Sequence, residues 1–349
     1  MSEKCGGLRE KGAIYAVSTY YHTYIACVKQ LVYRENADIL VTGYIPESGL
    51  LAQRLRESGL FGTVYCMENP QEYVPANKVD MVLHLHKRNA QIIEPFLPVD
   101  FRDYETVNIF HDDTWVAHYL KDRRIRYRLI EDGLDSLKHI MDTSFAYMAR
   151  QRGAVSFIKR RLGIGYVFNG CDPLTTQVEV NDKNGVVIAR CAEKKLVEAP
   201  REELFSRLTD DDTEVLKRVF SREVPRIDSS RTVLLLTQPL CVDDGRISRG
   251  EQAEMYRRLV SGELADGDVL VIKPHPRDIV DYSEVFPDAV ILNKNMPAEM
   301  LAYYNIGSDI KKLIGFNSTA LNTLHAKECR RAELSEYLPK GKNGRTNND

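Results

Sequence analysis

The 349-residue chain is poor in the features that mark several protein classes. No apolar run reaches the roughly 18 residues of a membrane-spanning helix. The opening MSEKCGGLREKG is polar and has no apolar segment of the kind that a secretory leader carries. Cysteine is sparse and scattered: Cys5, Cys27, Cys66, Cys171, Cys191, Cys241 and Cys329 are odd in number and never form Cys-x-x-Cys. That pattern excludes a disulfide framework and a zinc ligand set, and fits reduced thiols in a cytoplasm. Neither sign of charge dominates. Lys plus Arg number 48 and Asp plus Glu 50, a net charge of −2, so the chain lacks the basic excess of a dedicated nucleic-acid binder. No repeat at a fixed period is visible.

What is present is an ordinary globular composition, 43% hydrophobic, at a length that suits two domains of roughly 150 residues. In the first half, short apolar runs alternate with helical or polar stretches. Strands are predicted at Ala13–Val17, Ile39–Thr42, Thr63–Cys66, Val82–Leu85, Thr106–Phe110 and Tyr127–Ile130, and a helix on the stripe Tyr24, Ile25, Val28, Leu31, Val32. This rhythm implies a parallel sheet covered by helices, with ligands at the carboxyl ends of its strands. From about 150 to 225 the rhythm breaks. Val178–Val180 and Val186–Ala189 flank Asn184-Gly185, a hairpin signal. A helix is expected over Asp210–Phe220 and a linker over Pro225–Arg231. The βα rhythm then restarts, with strands at Thr232–Leu236, Val269–Ile272, Ala289–Leu292 and Leu313–Phe316 and a helix over Glu251–Val260. The expected organisation is an α/β N-terminal domain (1–165), a helical, hairpin-bearing connection (166–228), a second α/β domain (229–335) and a flexible tail (336–349).

Three constellations fall at predicted strand ends. Glu131-Asp132-Gly133 follows YRLI and places carboxylates there, with a glycine that permits an unusual turn; ordinary helix capping is the plainer account. Lys273-Pro274-His275-Pro276-Arg277 follows VLVI. Two prolines stiffen the segment around His275, and the flanking cations suit an anionic leaving group such as a phosphate; a structural turn with a surface histidine is the plainer account. Asn317-Ser318-Thr319 follows LIGF and precedes a helix expected near Ala320, an arrangement that suits either phosphate binding or plain capping. Glu299, in MPAEMLAYY, is a first-turn acid or a carboxylate for ribose hydroxyls.

In order and placement these segments, with Tyr20-Tyr21-His22 and Thr237-Gln238-Pro239-Leu240, resemble the bacterial sialyltransferases, in particular the lipooligosaccharide sialyltransferase family, glycosyltransferase family 52. The resemblance spans most of the chain. It implies a GT-B architecture, two Rossmann-like domains facing each other across a cleft. It also implies metal-independent, inverting transfer of sialic acid from CMP-sialic acid to a galactose-type hydroxyl of a surface glycan, lipooligosaccharide or capsule. No cofactor is implied; CMP-sialic acid is the donor substrate. Carried onto this sequence, His275 protonates or hydrogen-bonds the leaving CMP phosphate, Ser318 and Thr319 hold that phosphate, and Glu299 binds the ribose. Lys273, Pro274 and Arg277 complete the nucleotide side. The base is either Asp132, in the D/E-D-G motif, or Asp243 or Asp244, in the loop after the first strand of the second domain; Asp132 is favoured. Glu131, Gly133, His22 and Asp112 are expected on the substrate side, with a structural role for His22 and a solvated turn at Asp112 as equal alternatives.

The chemistry agrees with this division. Inverting displacement passes through an oxocarbenium-like state that needs a carboxylate for the acceptor proton and a neutralising group at the phosphate. Alternatives keep the fold and change the donor (CMP-Kdo, CDP-glycerol or a glucosyl donor), or keep nucleotide binding and lose turnover. Asp266-Gly267-Asp268 matches a metal-binding pattern but precedes VLVI, so it reads as a surface loop. His84 and His86 read as strand-face residues, and Trp115 fits either a sugar platform or the core. Lys121–Arg128 is basic. Arg150–Arg161 suits either a helix lying on an anionic leaflet, which an enzyme with a lipid-linked acceptor would use, or a solvated interdomain helix. The expected location is cytoplasmic, with any membrane attachment peripheral and no nucleic-acid partner. A homodimer is an open option.

Overall fold

The computed structural model describes residues 11–71, 73–74, 76–134, 136–138, 169–188, 190–220, 224–225, 227–304, 310–316, 321 and 324–337. The chain forms two units, Met1–Leu216 and Lys217–Asp349.

In the first unit the described strands are β1 (Lys11–Val17), β2 (Ala37–Thr42), β3 (Val64–Met67), β4 (Tyr104–Ile109), β5 (Tyr127–Ile130), β6 (Thr175–Val180) and β7 (Leu196–Glu198). They lie in the order β3-β2-β1-β4-β5-β6-β7, every pair parallel. Helices α1 (Tyr20–Tyr33), α2 (Ser48–Ser58), α3 (Lys78–Ile93) and α4 (Trp115–Asp122) supply crossovers. Ile14, Ala16, Leu40, Val107, Ile109, Leu129 and Val178 pack with Ala90 and Ile93 of α3 and Trp115, Val116 and Leu120 of α4. The strands read as near-continuous apolar runs because a parallel sheet is covered on both faces.

In the second unit β8 (Thr232–Leu236), β9 (Val269–Lys273), β10 (Val290–Ile291), β11 (Ile310–Phe316) and β12 (Ala326–Ala332) lie in the order β10-β9-β8-β11-β12, again all parallel. The helix Arg249–Ser261 opens with a reciprocal capping box between Ser248 and Glu251. Its Tyr256, Leu259 and Val260 pack on Val233, Leu235, Ile272, Ile314 and Phe316. In both sheets the winding reverses beside the first strand, between β1 and β4 and between β8 and β11. The strand ends at such a reversal form the natural ligand crevice of an open α/β sheet.

Several expectations need correction. Val82–Leu85 belongs to α3, not to a strand, so His84 is helical. The Asn77 side chain accepts the Asp80 N–H, and His84 pairs with Asp80 one turn on; this local capping overrides the period-two look of LHLHK. The hairpin does not form. Gly185 takes the turn conformation, φ 77°, but Val187 N–H donates to Leu137 O, and β6 pairs in parallel with β5 and β7. The expected connection 166–228 therefore carries two strands of the first sheet. MPAEMLAYY holds a 3₁₀ helix, Ala298–Tyr303, and β12 is an additional strand. Asp266-Gly267-Asp268 is a loop before β9, as expected: Asp268 pairs with Lys311, and Gly267 O accepts from Arg231. Trp115 is a core residue, edge-on to Tyr44 at 5.5 Å.

Candidate functional site

In the first unit the residues converge where β1, β4 and β5 end. The chain leaves β1 at Val17, and Thr19 caps α1 by accepting the His22 N–H at 3.0 Å. This places His22 in the first turn, where it is 2% exposed and stacks on Phe110, just past β4, at 4.5 Å with an interplanar angle of 9°. Its Nδ1 accepts the Ser18 N–H at 3.3 Å, so the ring proton is on Nε2, which donates to Asp132 Oδ1. The Asp132 side chain is 48% exposed, so a buried imidazole stands behind a reachable carboxylate. Burial pushes the Asp132 carboxyl up, but the field and hydrogen bond of His22 and the field of His111 outweigh it and leave it below the usual aspartate value. It is therefore ionised at neutral pH.

Two other carboxylates expected on the substrate side face backbone N–H groups. Glu131 is buried; its Oε2 accepts the Asn181 N–H at 2.9 Å and its Oε1 the Leu137 N–H at 3.3 Å, so it fastens loops beside β5 and β6. Asp112 is also buried, its two oxygens accepting the N–H groups of Asn169 and Gly170 at 2.9 and 3.0 Å. Gly133 is not in the left-handed region, so its φ imposes no need for glycine. Lys121, in the first basic stretch, is buried and donates to Asp112 O. A similar His–Asp pair escaped sequence reasoning: buried His118 bonds Asp113 at 3.0 Å and Asn89 at 2.8 Å. The i, i+5 spacing of Asp113 and His118 across a helix start is its only sequence trace.

In the second unit the loop after β9 is the centre. Thr237 Oγ1 accepts the His275 N–H at 3.1 Å, and His275 Nδ1 accepts the Arg277 N–H at 3.1 Å. The imidazole thus presents Nε2–H as a donor, with no partner among the described residues. Burial first, then the charges of Arg277 and Lys273, against a smaller opposing effect of Asp243, push His275 down to about 4. It is a neutral donor at pH 7. Lys273 is buried, and its Nζ donates to Pro274 O at 2.8 Å and Lys294 O at 3.1 Å, so it ties two loops together. Burial lowers it to about 7, against the field of Glu299, and burial raises Glu299 in turn.

Arg277 forms a forked pair with Asp243 at 2.8 and 3.3 Å, and Asp244 pairs with Arg246 at 2.7 Å. Both base alternatives are therefore held by guanidinium groups, while among the described residues Asp132 is held by the His22 imidazole. Asn317, Ser318 and Thr319, the helix near Ala320 and Arg150–Arg161 lie outside the described residues. A cavity of about 280 Å³ lined by Tyr15, Lys29, Asn108, Arg128 and Glu179 lies on the first sheet, but none of the candidate residues lines it.

Residues 50–332 match the model of glycosyltransferase family 52. The chain belongs to that family. A segment of 68 residues is 38% identical to an uncharacterized protein of Haemophilus influenzae, covering 20% of this chain and 21% of that relative. Among solved structures the chain is similar to the UDP-GlcNAc 2-epimerase from Neisseria meningitidis bound to UDP-GlcNAc (TM-score 0.42, 10% identity, 89% of this chain and 78% of that one). It is also similar to the S. aureus MnaA–UDP co-structure (0.49, 10%, 89% and 75%). A third is the wall teichoic acid polymerase TagF (0.47, 12%, 90% and 67%). The family 52 match includes Asp132, Asp243, Asp244, Lys273, His275, Arg277 and Glu299 and leaves His22 upstream. Among the described residues no helix is long and apolar enough to cross a membrane.

Proposed function

We propose that this family 52 glycosyltransferase moves sialic acid from CMP-sialic acid to a galactose-type hydroxyl of a surface glycan, with inversion and without a metal. The observation that carries the reading is the state of His275, a neutral imidazole beside Arg277 at the end of β9, whose Nε2–H has no partner among the described residues. A leaving nucleotide phosphate needs a donor of this kind. Asp132, ionised and half-exposed, takes the proton of the acceptor hydroxyl as its oxygen attacks the anomeric carbon. The bond from that carbon to the phosphate oxygen breaks, and the electron pair leaves with CMP. His275 acts as a hydrogen-bond donor rather than as an imidazolium acid, because it starts neutral.

Arg277 is 60% exposed, so a phosphate displaces or shares its Asp243 partner. In this reading Glu299 holds the ribose hydroxyls, Ser318 and Thr319 take phosphate oxygens, and Lys273 shapes the loop. The protein works in the cytoplasm.

The test is CMP release from CMP-sialic acid with lactose as acceptor and EDTA present. Wild type is expected to turn over, and His275→Ala to lose on the order of 10²–10³-fold in kcat. No release by wild type, with turnover of another CMP- or CDP-linked donor, would sink the sialic acid assignment and leave the family intact.

A further inference from the structure

Asp278 belongs to none of the sequence constellations, yet it organises the loop that carries His275. It is 2% exposed. Its Oδ2 accepts the hydroxyls of Thr237 at 2.6 Å and Tyr282 at 2.8 Å, and its Oδ1 accepts the Val280 N–H at 3.1 Å. Gln252 Nε2 lies within 3.0 and 3.1 Å of the two oxygens. Each of these bonds has a consequence one step further out. A hydroxyl has a single hydrogen, and that of Thr237 is committed to Asp278, so a lone pair of Oγ1 meets the His275 N–H. The Gln252 amide is oriented the same way: its Nε2 also donates to Gln238 O at 3.0 Å, and its Oε1 accepts the Cys241 N–H at 2.7 Å. One buried carboxylate therefore sets the hydrogen-bond direction in the loop after β8 and in the loop after β9.

We propose that Asp278 is the positioning residue for His275, fixing its backbone N–H, and with it the placement of the imidazole, through the Thr237 hydroxyl; the catalytic consequence rests on the reading of His275 as the donor to the leaving phosphate. The carboxylate form is specific to the task. Both oxygens of Asp278 receive N–H or O–H donors, so an asparagine of the same shape must turn its own N–H₂ toward a donor in either orientation. One arm of the network then fails without any change in side-chain volume.

The experiment uses the full chain with Asp278→Asn, Thr237→Val, Thr237→Ser and the Asp278→Asn/Thr237→Val double variant. Thermal unfolding verifies that each one folds. The first readout is kcat and KM for CMP-sialic acid. Asp278→Asn and Thr237→Val are each expected to lower kcat about tenfold or more, with KM changed less than about threefold. The double variant should be no worse than the poorer single one, because one relay is cut twice. Thr237→Ser, which keeps the hydroxyl, should restore most of the rate.

The second readout is the ¹⁵N signature and titration midpoint of the His275 ring, which needs no turnover. It should move in Asp278→Asn and Thr237→Val and stay in Thr237→Ser. Additive losses, or unmoved ring signals in folded variants, would overturn the proposal. If wild type ignores CMP-sialic acid, the donor reading fails on its own, and the ring signals still decide the role of Asp278. If Asp278→Asn does not fold, the Thr237 pair decides it.

Discussion

The two units treat their key titratable groups in opposite ways. At the end of β5 a half-exposed aspartate is backed by a buried histidine, and its carboxyl is held low and charged. At the end of β9 a histidine is crowded by Arg277 and Lys273, and its imidazole is held low and neutral. Both arrangements begin with the same device, a ring Nδ1 that accepts a backbone N–H and so fixes the proton on Nε2. In the first unit that proton is spent on a carboxylate; in the second it meets no partner among the described residues. One local motif thus has two outcomes, according to what surrounds it.

The sharpest way to break this comparison is to remove the two reactive groups separately. Asp132→Asn is expected to cost on the order of 10²–10⁴-fold in kcat/KM, with donor binding retained, measured by CMP release and by CMP titration. If Asp132→Asn stays within about threefold of wild type while Asp243→Asn collapses, the base lies in the second unit, and the His22 pair is structural.

The next effect in size concerns His22 itself. His22→Phe keeps the stack on Phe110 but removes Nε2–H. A drop of about tenfold in kcat/KM is expected, and the acid limb of the pH–rate profile should move to higher pH as the Asp132 carboxyl loses the bond that lowers it. An unchanged acid limb would separate His22 from the titration of Asp132.

The third prediction sharpens the other half. The His275 ring should titrate near pH 4 by NMR, and Arg277→Gln should raise that midpoint by removing a neighbouring cation. Because its folded value lies below the unfolded value of 6.5, the unfolded chain binds more protons between those pH values. Stability must rise with pH across that window and carry no His275 penalty above it. Urea melts from pH 4 to 7 of His275→Gln should show a shallower rise than wild type. A wild-type midpoint near 6.5 would remove the neutral-donor account.

The smallest effect on activity is expected at the two carboxylates that fasten loops. Glu131→Gln and Asp112→Asn should each cost about 1–3 kcal/mol of stability, read by denaturant melts, because backbone N–H groups lose their charged acceptor. The folded fraction should keep kcat/KM within about threefold. A larger kinetic loss at Asp112 would return it to the substrate side.

Much of the architecture was legible because parallel strands are buried on both faces and announce themselves as unbroken apolar runs. TVLLL, VLVI and YRLI all became strands in their predicted places. The errors arose where local and tertiary signals conflict. Asn184-Gly185 does make a turn, but the partner of β6 is chosen by the sheet, not by the turn. The motif His275 stood out because prolines constrain it locally. Glu131 and Asp132, adjacent in sequence, could not be separated without knowing which one faces backbone N–H groups. Asp278 left no pattern, since its four donors come from Thr237, Gln252, Val280 and Tyr282, a spread that only folding collects.

The all-parallel order of both sheets also sets a timetable. Parallel neighbours cannot be joined by a tight hairpin, so each described ladder closes only after a long crossover has been made, and no short ribbon is available to start the sheet. Each sheet nevertheless draws its described strands from one continuous stretch, β1 to β7 within residues 11–198 and β8 to β12 within residues 232–332. A chain emerging from the ribosome can therefore complete its first sheet before the first strand of the second exists. The half that carries Asp132 is in place before the half that carries His275 has begun to fold.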